Sequence, residues 1–217
     1  MHEFPAYPAP DEASSVDLVR SHPFALVVSG GADGPAPVAT HTPVVLDPDA
    51  AAPAALVGTV LLGHLARSNP QWRSLTPDAR VLLVFSGPHD YVSPTAYGTD
   101  PAVPTWDYAA VHLTARVEVV DEAAGCLEIV RKTVAALEAR EPEPWDMTSS
   151  LPVFERIVGG VVGLRLHVET RSAVFKLSQD VPADVRRRVA AASRARGCPY
   201  GDVASLVERC SPAGEAS

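Results

Sequence analysis

Apolar residues in this chain recur mostly at the period of a strand, with two longer stretches at the period of a helix. The segment from Asp11 to Arg20 sets Val16 and Val19 behind an acidic start and predicts a short amphipathic helix. The pattern then shortens. Phe24–Ser29 reads as a strand, Gly30 to Gly34 as a turn and Val38–Leu46 as the partner strand, so the three predict a hairpin. After the Asp47 to Pro53 loop, Val57 to Leu62 reads as a buried strand, and the residues after His64 as one or two helical turns. Val81 to Phe85 is another buried strand. Val111, Leu113, Ala115, Val117 and Val119 occupy every second position of a further one, Val111 to Val120.

Glu122 to Arg140 is the clearest helix: Cys126, Val130, Val134 and Leu137 fall on one face, and Pro142 and Pro144 end it. Thr148 opens a second, short helix through Ile157, closed by Gly159-Gly160. Val161 to Val168 and Ala173 to Leu177 read as two strands joined by the polar turn 169–172. Asp180, Val181 and Pro182 then open a helix to Arg196, on which the Arg186-Arg187-Arg188 run reads as a solvated face. Six or seven short strands with helices at the margins predict a mainly β, α+β fold: a small closed barrel. One domain over residues 1–217 is expected, with its core at 20–180, a C-terminal helix at 181–196 and a flexible tail at 205–217.

Two features depart from simple core patterning. His64 ends an apolar run at a predicted strand-to-helix junction, Leu61-Leu62-Gly63-His64-Leu65-Ala66-Arg67-Ser68-Asn69-Pro70-Gln71-Trp72, where a side chain can face a cavity. The competing reading is a core histidine donating its ring N–H to a carbonyl. The second feature is the segment from Ser86 to Tyr108, with four prolines, expected to be a long irregular arm that packs on something.

Composition narrows the classes. With 18 basic against 26 acidic residues the formal charge is -8, the wrong sign for tracking phosphates, so no nucleic-acid partner is expected. No apolar run approaches a bilayer span and the N-terminus lacks a signal pattern, so no membrane partner and a cytoplasmic location are expected. Cys126, Cys198 and Cys210 are odd in number, widely spaced and without CxxC pairing, so neither a disulfide framework nor a zinc site follows.

Read in series, Ala39-Thr40-His41-Thr42-Pro43, Gly63 to Trp72, Gly87-Pro88-His89-Asp90-Tyr91-Val92-Ser93-Pro94, Pro104-Thr105-Trp106-Asp107-Tyr108 with Val111-His112, and Phe175-Lys176-Leu177-Ser178-Gln179 resemble the PaiB-type family of FMN-binding split barrels, often labelled negative transcriptional regulators. The match runs in order from about Phe24 to Gln179. It implies a split β-barrel homodimer related to flavin reductases, with the cofactor at the dimer interface. Through Trp145-Asp146-Met147-Thr148, the Phe154-containing helix and the Phe175 to Gln179 motif, the chain is most similar to the branch of heme-dependent piperazate synthases. That branch implies closure of N5-hydroxy-L-ornithine, a small amino-acid substrate, to L-piperazate with loss of water.

The resemblance places His64 as the axial ligand of heme b, with Arg67, Thr40, His41, Ser68 and Trp106 around the cofactor. An imidazole ligates heme iron well, and one protein ligand leaves the opposite face open. Lys176, Thr105, His89 and Tyr91 are the candidates for protonating the leaving hydroxyl and clamping the amino-acid head. Each has a plainer alternative: Lys176 pairing a carboxylate, Thr105 and Trp106 packing in a strand, Tyr91 anchoring the arm, His41 facing the core. FMN is the other cofactor expectation. Its phosphate needs cationic or hydroxyl donors, which Thr40, Arg67, Ser68 and Lys176 can supply. The site constellation holds only two cations, Arg67 and Lys176. As a DNA-binding regulator, the chain would have to rely on the 186–196 helix for recognition.

Overall fold

A computed structural model of the protein describes residues 1–31 and 36–210. Residues 32–35 of the expected hairpin turn and 211–217 of the expected tail lie outside the described residues. Among the described residues the chain forms α1 (Glu12–Ser21), β1 (Phe24–Ser29), β2 (Val38–Leu46), β3 (Val60–Ala66), β4 (Arg80–Val92), β5 (Thr105–Val120), α2 (Ala123–Glu138), α3 (Leu151–Ile157), β6 (Val161–Lys176), α4 (Ala183–Arg196) and α5 (Val203–Arg209), with short 3-10 turns between them. The strands close an antiparallel barrel in the order β1-β2-β3-β6-β5-β4. This is the expected split-barrel, α+β architecture.

The chain divides into two compact units. The first, Val19–Phe85 with His112–Arg171, holds β1, β2, β3 and the adjoining lengths of β4, β5 and β6. Strand parity builds it. Ala25 and Val27, Leu61 and Leu65, Leu113 and Ala115, and Leu164 and Leu166 point to one side and are almost completely buried. On the other side α2 covers β2 and β3: Val45, Leu62, Val120 and Ile129 form a second apolar cluster. Gly163 belongs to this contact, because a Cβ there would meet Ile129 Cδ1 at 2.6 Å. Lys132 of α2 holds the β2–β3 loop through Asp47 at 2.9 Å and Asp49 at 3.1 Å.

The second unit is Met1–Leu18, Ser86–Val111 and Ser172–Ser217. Asp11 caps α1 by accepting from Ser14 N at 2.7 Å. Gly87 lets β4 run close to its neighbours, since a Cβ would meet Ala109 O and Leu18 Cδ1, each at 3.0 Å. Helix α4 is tied to β4 by Asp90, which accepts from Ser193 Oγ at 2.6 Å and from Arg196. It ends at Gly197, whose φ of 61° suits glycine.

Several local expectations shift. The third strand starts at Val60, not Val57, because Gly58 takes φ 85° and Val57 is left exposed. It runs past His64 to Ala66, paired with Val161, so His64 lies inside a strand, and the 3-10 turn Pro70–Ser74 follows a break. The two ends of the arm at 86–108 are strand, since β4 continues to Val92 and β5 begins at Thr105, and only 93–104 is irregular. The polar 169–172 stretch does not interrupt β6, where Glu169 receives Arg80 Nε at 2.7 Å. Of the three arginines, Arg186 is buried and Arg188 donates to Tyr97 O at 2.5 Å, so the run is not simply a solvated face. Helix α5 adds an element where a tail is expected; Asp202 caps it through Ser205 N at 2.9 Å, and Val203, Ala204 and Val207 are buried.

Candidate functional site

The candidate residues fall into two groups, one in each unit. In the first unit His64 stands in β3 directly opposite Gly163 of β6, and its carbonyl accepts from Thr42 Oγ1 at 2.7 Å. The residue is partly exposed, yet its Nδ1 is fully buried without a hydrogen-bond partner. Burial lowers its pKa, which favours the neutral ring. The plainer expectation, a ring N–H donated to a carbonyl, is not what the structure contains: no hydrogen bond of the ring is present among the described residues.

The polar residues that follow His64 are spent on structure. Arg67 donates from Nε to Gly159 O at 2.8 Å and from Nη2 to Val161 O at 2.9 Å, and pairs with Asp121. Its guanidinium also lies 5.8 Å from the centroid of Trp72, whose Nε1 donates back to Arg67 O at 2.9 Å. Thr40 accepts from Asn69 Nδ2 at 2.8 Å and donates to Gln71 Oε1 at 2.5 Å. Gln71, buried, then reaches Val27 O at 3.0 Å and Ser29 Oγ at 3.1 Å, stitching β1 and β2 to the segment after His64. Ser68 is exposed. His41 is exposed too and stacks on Phe24 at 5.5 Å, so it does not face the core.

In the second unit Lys176, at the end of β6, donates to Thr105 Oγ1 and to Trp106 O, the latter at 2.9 Å, and lies 5.6 Å from the centre of the Tyr7 ring. It forms no ion pair among the described residues. Tyr7 donates to Asp180 Oδ2 at 2.8 Å; burial, and that carboxylate, push the phenol up to about 12. These groups open on a cavity of about 490 Å³. Beside them Asp107 is completely buried, with Oδ2 accepting from Ser178 Oγ at 2.7 Å and Oδ1 without a partner. Burial pushes its carboxyl up to about 6. His89, Trp106 and Tyr91 form an aromatic cluster: His89 and Trp106 have centroids 6.0 Å apart, Tyr91 and Trp106 6.2 Å, and Tyr200 stacks on His89 at 4.8 Å. A hollow of about 300 Å³ lies along His89, Trp106 and Tyr108.

The structure thus brings Lys176, Thr105 and Trp106 together in one unit, and Thr40, His64 and Arg67 share the other. Asp107, Tyr7, Asp180 and Gln71 are the residues that sequence reasoning left without a role. For Asp107 the signal was present: it takes an inward position in the alternation continued by Ala109, Val111 and Leu113, where an acid is out of place.

The family described as "Putative FMN-binding domain" matches residues 1–170, most of the chain. The protein called protease synthase and sporulation protein PAI 2, from Bacillus subtilis, is 31% identical over 169 residues, covering 76% of this chain and 75% of that protein. The chain belongs to the PaiB-type FMN-binding family. Solved structures place this PaiB-type chain in the split-barrel fold: the conserved hypothetical protein Rv2991 from Mycobacterium tuberculosis superposes with a TM-score of 0.56 at 14% identity, over 84% of this chain and 94% of that one. The flavocytochrome Anf3 from Azotobacter vinelandii superposes with a TM-score of 0.50 at 17% identity, over 77% and 75%. No helix among the described residues is long and apolar enough to cross a membrane.

Proposed function

We propose that this PaiB-type protein binds heme b through His64 and closes N5-hydroxy-L-ornithine to L-piperazate. The observation that carries the reading is the neutral His64 imidazole, fixed on a paired strand and free of any ring hydrogen bond. That is the state an iron ligand needs. When bound, heme supplies a Lewis-acidic iron that weakens an N–O bond. The reaction balances without oxidant or reductant: the α-nitrogen bonds to the terminal nitrogen, the N–O bond breaks, and the hydroxyl leaves as water with a proton from the amine. The chain's own part is to orient and to move protons. In the second unit Lys176, with two of its three N–H groups engaged, keeps one to donate. Asp107 is fully buried, and burial pushes its carboxyl up to about 6.

A flavin is the second reading, favoured by the family description. Against it, Arg67 and Thr40, the phosphate donors of the first unit, are committed to Asp121, Gly159, Val161 and Gln71. A flavocytochrome of the same fold is consistent with either cofactor. The absorption spectrum of the purified protein separates them: a Soret band that disappears in His64→Ala, with unchanged far-ultraviolet circular dichroism, is expected. Flavin bands, or a Soret band unaltered in His64→Ala, overturn the ligation. Heme-loaded protein that leaves N5-hydroxy-L-ornithine unchanged in both ferric and ferrous states overturns the reaction.

A further inference from the structure

The geometry points to the cavity beside Lys176 as a zwitterion site that holds an α-amino acid, its carboxylate on Lys176 and its α-ammonium on Asp180. The cavity measures about 490 Å³, and its lining contains one cation, Lys176, and one anion, Asp180. Both have unused capacity. Lys176 donates to Thr105 and Trp106 and keeps a third N–H, while the Tyr7 ring 5.6 Å away fixes the ammonium from one side. Asp180 accepts from Tyr7 through Oδ2 and has no partner at Oδ1 among the described residues. A carboxylate with an open oxygen and an ammonium with an open N–H match a ligand that carries both opposite groups. Either charge alone would suit a simple anion or amine; the pair does not.

The rest of the lining selects the side chain. Ala102, Val103, Pro104, Val181 and Val185 give the cavity an apolar wall with no further charge. An unbranched aliphatic stem fits there, and a second formal charge at its end is disfavoured. Tyr7, which touches both the Lys176 cation and the Asp180 carboxylate, is a positioning residue for the two. The inference rests on the proposed reaction only for the identity of the natural substrate; the binding itself needs no cofactor.

The test uses L-norvaline, which has the head group and an unreactive apolar stem, against pentanoate, which lacks the amine, and butylamine, which lacks the carboxylate. Calorimetric titration of the protein as purified should show L-norvaline bound about tenfold or more tightly than either, the size expected for a charge-assisted hydrogen bond. Asp180→Asn keeps an acceptor for Tyr7; it should weaken L-norvaline and butylamine and spare pentanoate. Lys176→Met should weaken L-norvaline and pentanoate and spare butylamine. A merely structural role for either residue would weaken all three ligands alike, and that result, or L-norvaline binding no better than its fragments, overturns the assignment. The two readings fail separately. Absent turnover with this pattern intact removes the reaction, and an absent pattern with turnover intact removes the site.

Discussion

Replacing Asp107 by asparagine removes a buried charge while keeping the shape of the side chain. Asp107 has no exposed surface, one carboxylate oxygen held by Ser178 Oγ at 2.7 Å and the other without a partner. Burial raises its pKa from 3.8 to about 6, against the opposing pull of Ser178 and Lys176. A folded pKa above the unfolded one means that the protonated carboxyl stabilises the fold. That contribution is full below about pH 4 and is lost as pH rises through about 6. The displacement is worth about 3 kcal/mol by pH 7.5. Asp107→Asn has no such loss, so it should be the more stable protein at pH 7.5, by up to about 3 kcal/mol, or roughly 6–12 °C in Tm for a chain of this size. Near pH 4 the two should be equal, or the variant slightly worse because its amide is incompletely bonded. Chemical unfolding across about pH 4 to 8, followed by fluorescence of the neighbouring Trp106, measures the difference. Parallel stability curves for the two proteins over that range would refute the reasoning.

Three further outcomes are expected. Gly163→Ala should destabilise the protein by about 1–3 kcal/mol in urea unfolding, because the new methyl meets Ile129 at 2.6 Å, and Ile129→Val in the same chain should recover part of it. Gln71→Met should cost about 2–4 kcal/mol in the same assay, since it removes the buried amide's bonds to Val27 O and Ser29 Oγ and frees Thr40. In turnover measurements Lys176→Met should lower kcat far more than heme content, because its ammonium bonds Thr105 and Trp106 and pairs with no anion; equal loss of both would assign it to the cofactor.

The barrel was legible because its signals are local. Phe24–Ser29 and Val38–Leu46 are apolar runs on either side of a glycine-rich turn, and their boundaries match residue for residue. Pairing is not local, and there the pattern misled. Nothing in the residues of 86–92, with Gly87 and Pro88 among them, announces a strand; it exists because β4 has partners to extend along. The same holds for 169–172, polar by composition and yet carried through by β6. At the candidate site, His64 stood out by its place after an apolar run. Asp180 did not, since a helix opening explains an acid equally well, and Tyr7 lies far from Lys176 in the chain although the fold sets them together.

The pairing of β3 with β6 spans about a hundred residues, from Val60 opposite His167 to Ala66 opposite Val161. During synthesis, β3 therefore waits with one bare edge until the chain has been made past His167. An early product ending in α2 would hold β1 to β5 but lack β6, leaving Leu61 and Leu65 without Leu166 and Val162 opposite them and the β3 edge bare. Such a fragment would pair with its own copies in place of the missing strand. Shortened expression products of this protein are thus expected in the pellet, and a strand supplied in trans with the sequence of residues 161–168 should keep them in solution.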